Sequence, residues 1–346
     1  SDTMQAIEFS EIGKARIVSV EKPEPEDGQV RIRVIKAGIC HSDIMAFKGQ
    51  HPYRVPPVIT GHEAAGEVDA VGEGVTSLAV GDRIAIEPHA GCGQCDGCRR
   101  GFYHICSNKK LIGVGSWIGV FAEFVVADES MCHRMPEGMD YETAALLEPY
   151  CVGLHAASLA DIKAGDGVAI IGCGTIGMMT LTAVRQCKPG TVIISDLSAA
   201  KREMALSMGA SDAVNPAETD PVAFVRNCTN GYGADITCVT APIKPVINQA
   251  LQMTRRKGKV IMIATLPGDT EITTGEIQMH ERVIMGSAMY NRNDYETAMG
   301  QWQQGKLDHL KKIISHRIGL PEAPQLIAEM AGGKGGEAIK NMISFD

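Results

Sequence analysis

The stretch Val168 to Val184, VAIIGCGTIGMMTLTAV, constrains this chain more than any other. Val168 to Ile171 are four consecutive aliphatic or small residues, as in a central strand covered on both faces. Gly172, Gly174 and Gly177 follow at the spacing GxGxxG, and a helical run comes next. Glycines at these places let a strand-to-helix turn stay tight, let backbone approach a pyrophosphate, and let the helix lie close to its strand. The helix N-terminus offers unpaired N–H groups to phosphate. By itself the pattern also occurs in ordinary turns, so its surroundings have to decide.

Those surroundings favour a dinucleotide. Thr191 to Ser195 reads as a second buried strand and ends on Asp196, nineteen positions after Gly177. A carboxylate there accepts hydrogen bonds from ribose hydroxyls and repels the extra phosphate of NADP, which points to NAD. The competing reading is that Asp196 only caps the following helix. A membrane span is the other competitor, because Gly167 to Val184 carries no charge over eighteen residues. Four glycines, three threonines and a strand-like first half argue against it, as does the lack of a second such segment.

At 346 residues the chain exceeds what one core usually holds, so two domains are expected. A net charge of −8 and only short basic clusters (Lys109-Lys110, Arg255 to Lys257, Lys311-Lys312) argue against nucleic acid as a partner. The N-terminal residues SDTMQAIEF lack a secretion signal, and the expectation is a cytoplasmic protein. Eleven cysteines, four of them clustered, suit metal ligation in a reducing compartment better than disulfides.

Residues 5 to 130 are rich in short alternating or valine-rich runs: Gln29 to Ile35, Glu67 to Val71, Arg83 to Ile86 and Phe121 to Ala127, separated by glycine-rich turns. This predicts a mostly β, barrel-like domain. From Asp140 helical spacing takes over and leads into the glycine turn, with a domain boundary expected near Gly153. Strands at Ala234 to Val239, Lys259 to Ala264 and Val283 to Gly286 alternate with helices, which predicts an α/β doubly wound parallel sheet. The tail from about Asp294 has two amphipathic segments around a short strand and closes with IKNMISF.

Cys92, Cys95, Cys98 and Cys106 lie in a loop of glycines and polar residues with two-residue gaps between the first three. Four thiolates so spaced converge on one tetrahedral ion and leave no open position, the mark of a structural zinc; an iron–sulfur cluster is the rival. A second constellation is scattered: Cys40 in GICHSD, His62 and Glu63 in GHE, and Glu148 in LLEPY. Singly, each of these residues has an ordinary core or surface reading.

Together, GICHSD, GHEAAGEVDAVGEGV, GDRIAI, the four-cysteine loop, EPYCVGLHA and VAIIGCGTIG resemble the zinc-dependent medium-chain alcohol dehydrogenases in order and spacing along essentially the whole chain. The nearest branch is that of sorbitol (iditol), threonine and related polyol or sugar-acid dehydrogenases. The resemblance implies a GroES-like catalytic domain, residues 1–152 and 290–346, with its zinc loop at 91–107. It implies a Rossmann domain at 153–289, an active site in the cleft, two zinc ions per subunit, and a homo-oligomer, with tetramers prevailing in the branch. Cys40 and His62 correspond to catalytic-zinc ligands, and Glu63 and Glu148 to direct or water-mediated ones. Asp43 matches the carboxylate that orients the ligand histidine, and Ser42 the hydroxyl that hydrogen-bonds the substrate oxygen. Cofactor contacts fall on Gly172, Gly174, Thr175, Ile176, Gly177, Asp196, Lys201, Ile263, Thr265 and Ala288.

The implied activity is NAD-dependent oxidation of a secondary alcohol of a polyol, sugar acid or related molecule to the ketone. L-Threonine 3-dehydrogenase, polyol-phosphate dehydrogenase and a non-catalytic NADH-sensing zinc protein are the alternatives. Two departures stand out. Met45 occupies the place of a relay histidine, leaving water, His51 or Glu148 for the proton. Met289 stands where sorbitol dehydrogenase-like members have an arginine. His41 takes the place of a basic residue near the pyrophosphate in some members.

Overall fold

The computed structural model describes residues 2–242 and 246–346. The chain forms two compact units. One comprises Ser1–Glu148, Asn291–Gln303 and Leu310–Asp346; the other comprises Pro149–Tyr290 and Gln304–His309.

The first unit is built on a seven-stranded mixed sheet centred on Gln29–Ile39. Valine and isoleucine at alternate positions bury Val30, Ile32 and Val34 while Arg33 stays exposed, so one face of this strand builds the core. The strand is long enough for three partners: Glu63–Val71 along most of its length, Phe124–Asp128 beside its first half, and Lys340–Ser344 beside its end. The closing segment IKNMISF therefore returns to the N-terminal sheet, with Asn341 opposite Ile39. Glu63–Val71 begins at the very residue that follows His62, earlier than the expected start at Glu67. The expected strand at Phe121 begins at Phe124 instead. The ring of Phe121 is buried against Gly61, where an added Cβ would come within 2.6 Å of it.

The second unit is a six-stranded, all-parallel sheet in the order Asp212–Val214, Thr191–Ser195, Gly167–Ile171, Ala234–Val239, Thr254–Met262, Val283–Gly286. Gly167–Ile171 is completely buried, as its unbroken apolar run requires of a strand with both faces covered. The strand order reverses beside Gly167–Ile171, and in such sheets ligands bind outside the carboxyl ends at that switch point. The changeover between units lies at Glu148 and Pro149, inside the helix Tyr141–Ala160 and just before Gly153. Gly153 itself packs within the second unit. Gly153 sits against the backbone of Met179 and Thr180, where a Cβ would come within 2.6 Å of the Thr180 nitrogen. His309 similarly lies with the second unit, its Nε2 3.4 Å from Thr182 Oγ1. Among the described residues no helix is long and apolar enough to cross a membrane.

Candidate active site

Cys40 follows the strand Gln29–Ile39 and caps the helix His41–Phe47. Its N–H donates to Asp43 Oδ2 at 2.9 Å, so one tight turn holds the thiol and the carboxylate together. On the neighbouring strand Glu63 stands opposite Gly38, where a Cβ would lie 3.2 Å from Glu63 Oε2 and crowd the carboxylate. The ligating atoms of Cys40, His62 and Glu63 consequently all fall within 4.8 Å of one another. Glu148, on the helix Tyr141–Ala160, brings Oε2 to 3.9 Å from His62 Nε2.

Burial sets the electrostatics. It lifts the Cys40 thiol to about 12, with the Glu63 carboxylate adding to the rise. It also holds His62 well below its usual range, helped by the cations Arg54 and Lys340. A neutral buried imidazole is ready to ligate, and a thiol so hard to ionise becomes a thiolate only with a cation beside it. Thiolate, imidazole and carboxylate are the donors zinc takes in sites that keep a position open. Ser42 Oγ is buried without a hydrogen-bond partner, as is His62 Nδ1. The residues present fit the metal.

Asp43 is fully buried and lies behind His62, but its Oδ1 is 3.9 Å from His62 Nδ1, too far for a hydrogen bond. That oxygen instead accepts from Thr60 Oγ1 at 3.1 Å. Burial raises the Asp43 carboxyl to about 6, opposed by the nearby Arg54 guanidinium. Arg54 is itself buried and donates from Nη1 to Thr60 Oγ1 (3.3 Å) and to the carbonyls of Ile112 and Gly113 (3.1 Å each). Met45 is half-buried, and His41 is exposed. His51 Nδ1 accepts from the amides of Arg54 at 3.0 Å and Tyr53 at 3.3 Å, while burial and Arg54 hold the ring down at about 4.

Lys340 is the residue the sequence reading missed. Its Nζ donates to both Glu63 oxygens at 2.8 Å and to the Ile39 carbonyl at 2.9 Å, and both side chains are buried. The available signal was a lysine opening the closing strand KNMIS, whose first four residues are buried. Thr60 and Arg54 carried no comparable signal.

In the four-cysteine loop all Sγ atoms lie within 4.8 Å of one another, with Cys95 and Cys106 at 3.7 Å and Cys92 and Cys98 at 4.0 Å. Backbone amides donate to sulfur throughout: Cys92 to Cys106, Cys95 to Cys92, Cys98 to Cys95 and Asn108 to Cys106. The Cys98 amide chiefly draws Cys95 down to about 6. A closed set of four thiolates fits a tetrahedral structural ion. Below this loop a polar cluster escaped prediction. Glu87 Oε1 meets His133 Nε2 at 2.8 Å, Glu87 Oε2 accepts from the Tyr103 hydroxyl, and His89 Nε2 lies 3.1 Å away. His133 stacks on Tyr295, with ring centres 4.5 Å apart.

In the second unit the predicted cofactor residues gather at the carboxyl edge of the parallel sheet. Gly172 has φ +107°, and Gly177 packs so closely that a Cβ would come within 1.9 Å of the Gly172 oxygen. Gly174 caps the helix Thr175–Arg185 without a side-chain bond, and no atom lies within 4 Å of where its Cβ would be. That leaves an open approach to the amides of the first turn, which holds Thr175 and Ile176, as a pyrophosphate requires. Asp196 follows Thr191–Ser195, with Oδ2 accepting from Cys173 N at 2.9 Å and Oδ1 from Ser198 N at 2.8 Å. The helix that follows is capped by Ser198, whose Oγ accepts from Lys201 N, so the role of Asp196 is not that of its N-cap. Lys201 is half-buried. Ile263 and Thr265 follow the strand Thr254–Met262, and Ala288 follows Val283–Gly286; Thr265 and Ala288 are exposed. Met289 has φ +56°.

Two family models match the chain: the alcohol dehydrogenase GroES-like domain over residues 26–137 and the zinc-binding dehydrogenase over residues 175–304. A sorbitol dehydrogenase of Halalkalibacterium halodurans is 32% identical, with 99% of each chain covered. An L-threonine 3-dehydrogenase of Pyrococcus abyssi is 33% identical, with 94% of each covered. A zinc-binding dehydrogenase of Sinorhizobium meliloti, solved bound to NADP, superimposes with a TM-score of 0.92 at 30% identity, covering 99% of this chain and 100% of that one. The chain belongs to the zinc-dependent medium-chain alcohol dehydrogenases. In this medium-chain dehydrogenase the mixed sheet is the GroES-like part, and the parallel sheet is the Rossmann part.

Proposed function

We propose that this chain oxidises a secondary alcohol of a polyol, sugar acid or related small molecule to the ketone, with NAD as hydride acceptor. The observation that carries the reading is the convergence of the ligand atoms of Cys40, His62 and Glu63 within 4.8 Å of one another, with Glu148 Oε2 3.9 Å from His62 Nε2, from places scattered through the sequence. Zinc held there would supply a Lewis acid for the alcohol oxygen, and a nicotinamide bound at the glycine turn would supply the hydride acceptor. His62 serves as a neutral imidazole ligand, and Asp43, held by Thr60 and Arg54, stands behind it. Ser42 Oγ accepts the hydrogen bond of the alcohol and passes its proton on. Met45 carries no proton, and His51 has Nδ1 engaged by two amides, which leaves Glu148 or water to carry the proton onward from the buried Ser42 Oγ.

NAD is favoured over NADP because the Asp196 carboxylate stands at the end of its strand beside the glycine turn, where it repels a 2′-phosphate. The four-cysteine loop takes the second zinc. We place the enzyme in the cytoplasm as a homotetramer acting on a small molecule, with neither nucleic acid nor membrane as a partner. The net charge of −8 and the habit of the branch support this. A second reading, L-threonine 3-dehydrogenase, is supported by the Pyrococcus relative and by Met289, which stands in place of a polyol-binding arginine. The intact ligand set argues against a non-catalytic NADH sensor. Assay of NADH formation with polyols, aldonates, polyol phosphates and L-threonine tests these readings. The expected result is turnover confined to one secondary-alcohol class, and no turnover with any of them would overturn the assignment. Light scattering of the purified protein tests the tetramer.

A further inference from the structure

The glycine turn that follows Gly167–Ile171 is pinned from both neighbouring strands, and the two pins differ. On the Thr191–Ser195 side, Gly172 N donates to the Ser195 carbonyl at 2.8 Å and Cys173 N to Asp196 Oδ2 at 2.9 Å. On the other side stands Thr240, the residue after the strand Ala234–Val239. Ile171 pairs in register with Val239, so the next residue falls beside the turn. The Thr240 N–H donates to the Ile171 carbonyl at 3.0 Å, and its hydroxyl donates to the same oxygen at 2.7 Å, with the Gly172 oxygen at 3.3 Å. A hydroxyl has one proton to give, and the shorter contact takes it. The hydroxyl also packs against two of the three glycines: a Cβ on Gly172 would come within 2.7 Å of Oγ1, and one on Gly177 within 3.2 Å. The bond joins residues 69 positions apart, so nothing in local spacing announces it.

Resting on the reading of this turn as a dinucleotide site, we propose that Thr240 is a positioning residue: its hydroxyl fixes the Ile171–Gly172 peptide and so sets the first amides of the helix Thr175–Arg185 for a pyrophosphate. The geometry of the turn gives the reason. Gly172, at φ +107°, has no side chain to hold it in place, and its oxygen is the atom against which Gly177, the third residue of that helix, packs. A shift of the Ile171–Gly172 peptide therefore carries the start of the helix with it. The hydroxyl adds a second donor to the Ile171 oxygen at the point where the strand ends and the freedom of glycine begins. An anion site made of N–H groups binds tightly when those groups already stand in place, because ordering them during binding costs affinity.

The test uses the full-length protein and reads binding. Wild type, Thr240→Ala and Thr240→Ser are titrated with NADH by fluorescence, and ADP-ribose and adenosine are titrated in competition with it. Thr240→Ala should raise the Kd for NADH and for ADP-ribose by about fivefold, the size of one lost hydrogen bond. Adenosine has no pyrophosphate, and its Kd should stay at the wild-type value. Thr240→Ser keeps the hydroxyl and should bind all three as wild type does. Unchanged affinity for NADH and ADP-ribose in Thr240→Ala would overturn the proposal. So would an equal loss for adenosine, since Thr240 would then support the pocket as a whole, and so would a Thr240→Ser variant as weak as Thr240→Ala. Should Thr240→Ala fail to fold, Thr240→Cys, close to serine in size but a far weaker donor, replaces it with the same losses expected. Failure of the underlying reading looks different: wild type would bind neither NADH nor ADP-ribose.

Discussion

The chemistry of this enzyme rests on a few side chains whose ordinary behaviour has been altered by burial. Cys40 is the clearest, since its thiol is pushed to about 12 and depends on a cation to become a ligand. Cys40→Ala is expected to lower kcat by about a thousandfold or more while the dissociation constant for NAD stays within a few-fold, measured by steady-state kinetics and by NADH fluorescence titration. Asp196 lies in the other unit, and the proposed role for it is selection of NAD over NADP. Asp196→Ala should shift the ratio of kcat/KM for NAD over NADP toward NADP by about tenfold, the size of one lost charge-assisted hydrogen bond and one relieved repulsion. An unchanged ratio would remove Asp196 from the ribose site.

At the scale of elements, close backbone packing holds the phosphate turn. Gly177→Ala would place a methyl 1.9 Å from the Gly172 oxygen, so the helix Thr175–Arg185 must move off its strand. Destabilisation of about 1 to 3 kcal/mol is expected from thermal melts, with weaker nucleotide binding. Glu87 does comparable work beneath the cysteine loop, fastening Tyr103 of that loop to His133 on a sheet strand. Burial alone would raise the Glu87 carboxyl, but bonds to His133 and Tyr103 and the nearness of His89 outweigh it and hold it at about 2. A carboxyl depressed by folding contributes stability that is full above its unfolded value near 4.5 and is lost as pH falls toward 2. Glu87→Gln should therefore cost about 3 kcal/mol at neutral pH, and the gap should narrow between pH 4.5 and 2 in urea unfolding series.

For the whole molecule, the two proposed metal sites should part company under chelation. The Cys40 site keeps an open position and should lose its ion first, abolishing turnover with little loss of stability. The closed set of four thiolates should hold on longer, and stripping it should lower the melting temperature, since an ion bound at a thousand times its Kd contributes about 4 kcal/mol. Metal content, activity and melting temperature followed over one chelation course check the order. Simultaneous loss of all three would count against two distinct sites.

Much of this was legible in the linear chain because it depends on short-range spacing. The glycine turn with Asp196 beyond it, and the first three loop cysteines with two residues between each pair, carry their geometry in the sequence, since a tight turn and a strand end position neighbours whatever else the fold does. The capping of the helix after Asp196 by Ser198 could be decided only by seeing which oxygen receives the amide. Lys340 on Glu63, Arg54 and Thr60 behind Asp43, and the cluster around Glu87 all required the tertiary structure. A buried polar group takes whatever partner packing delivers, and strand register delivers partners from anywhere in the chain. Local spacing thus determined which cysteines can share an ion and which glycines can cradle a dinucleotide; the return of the last strand to the first sheet decided that Glu63 meets a buried lysine.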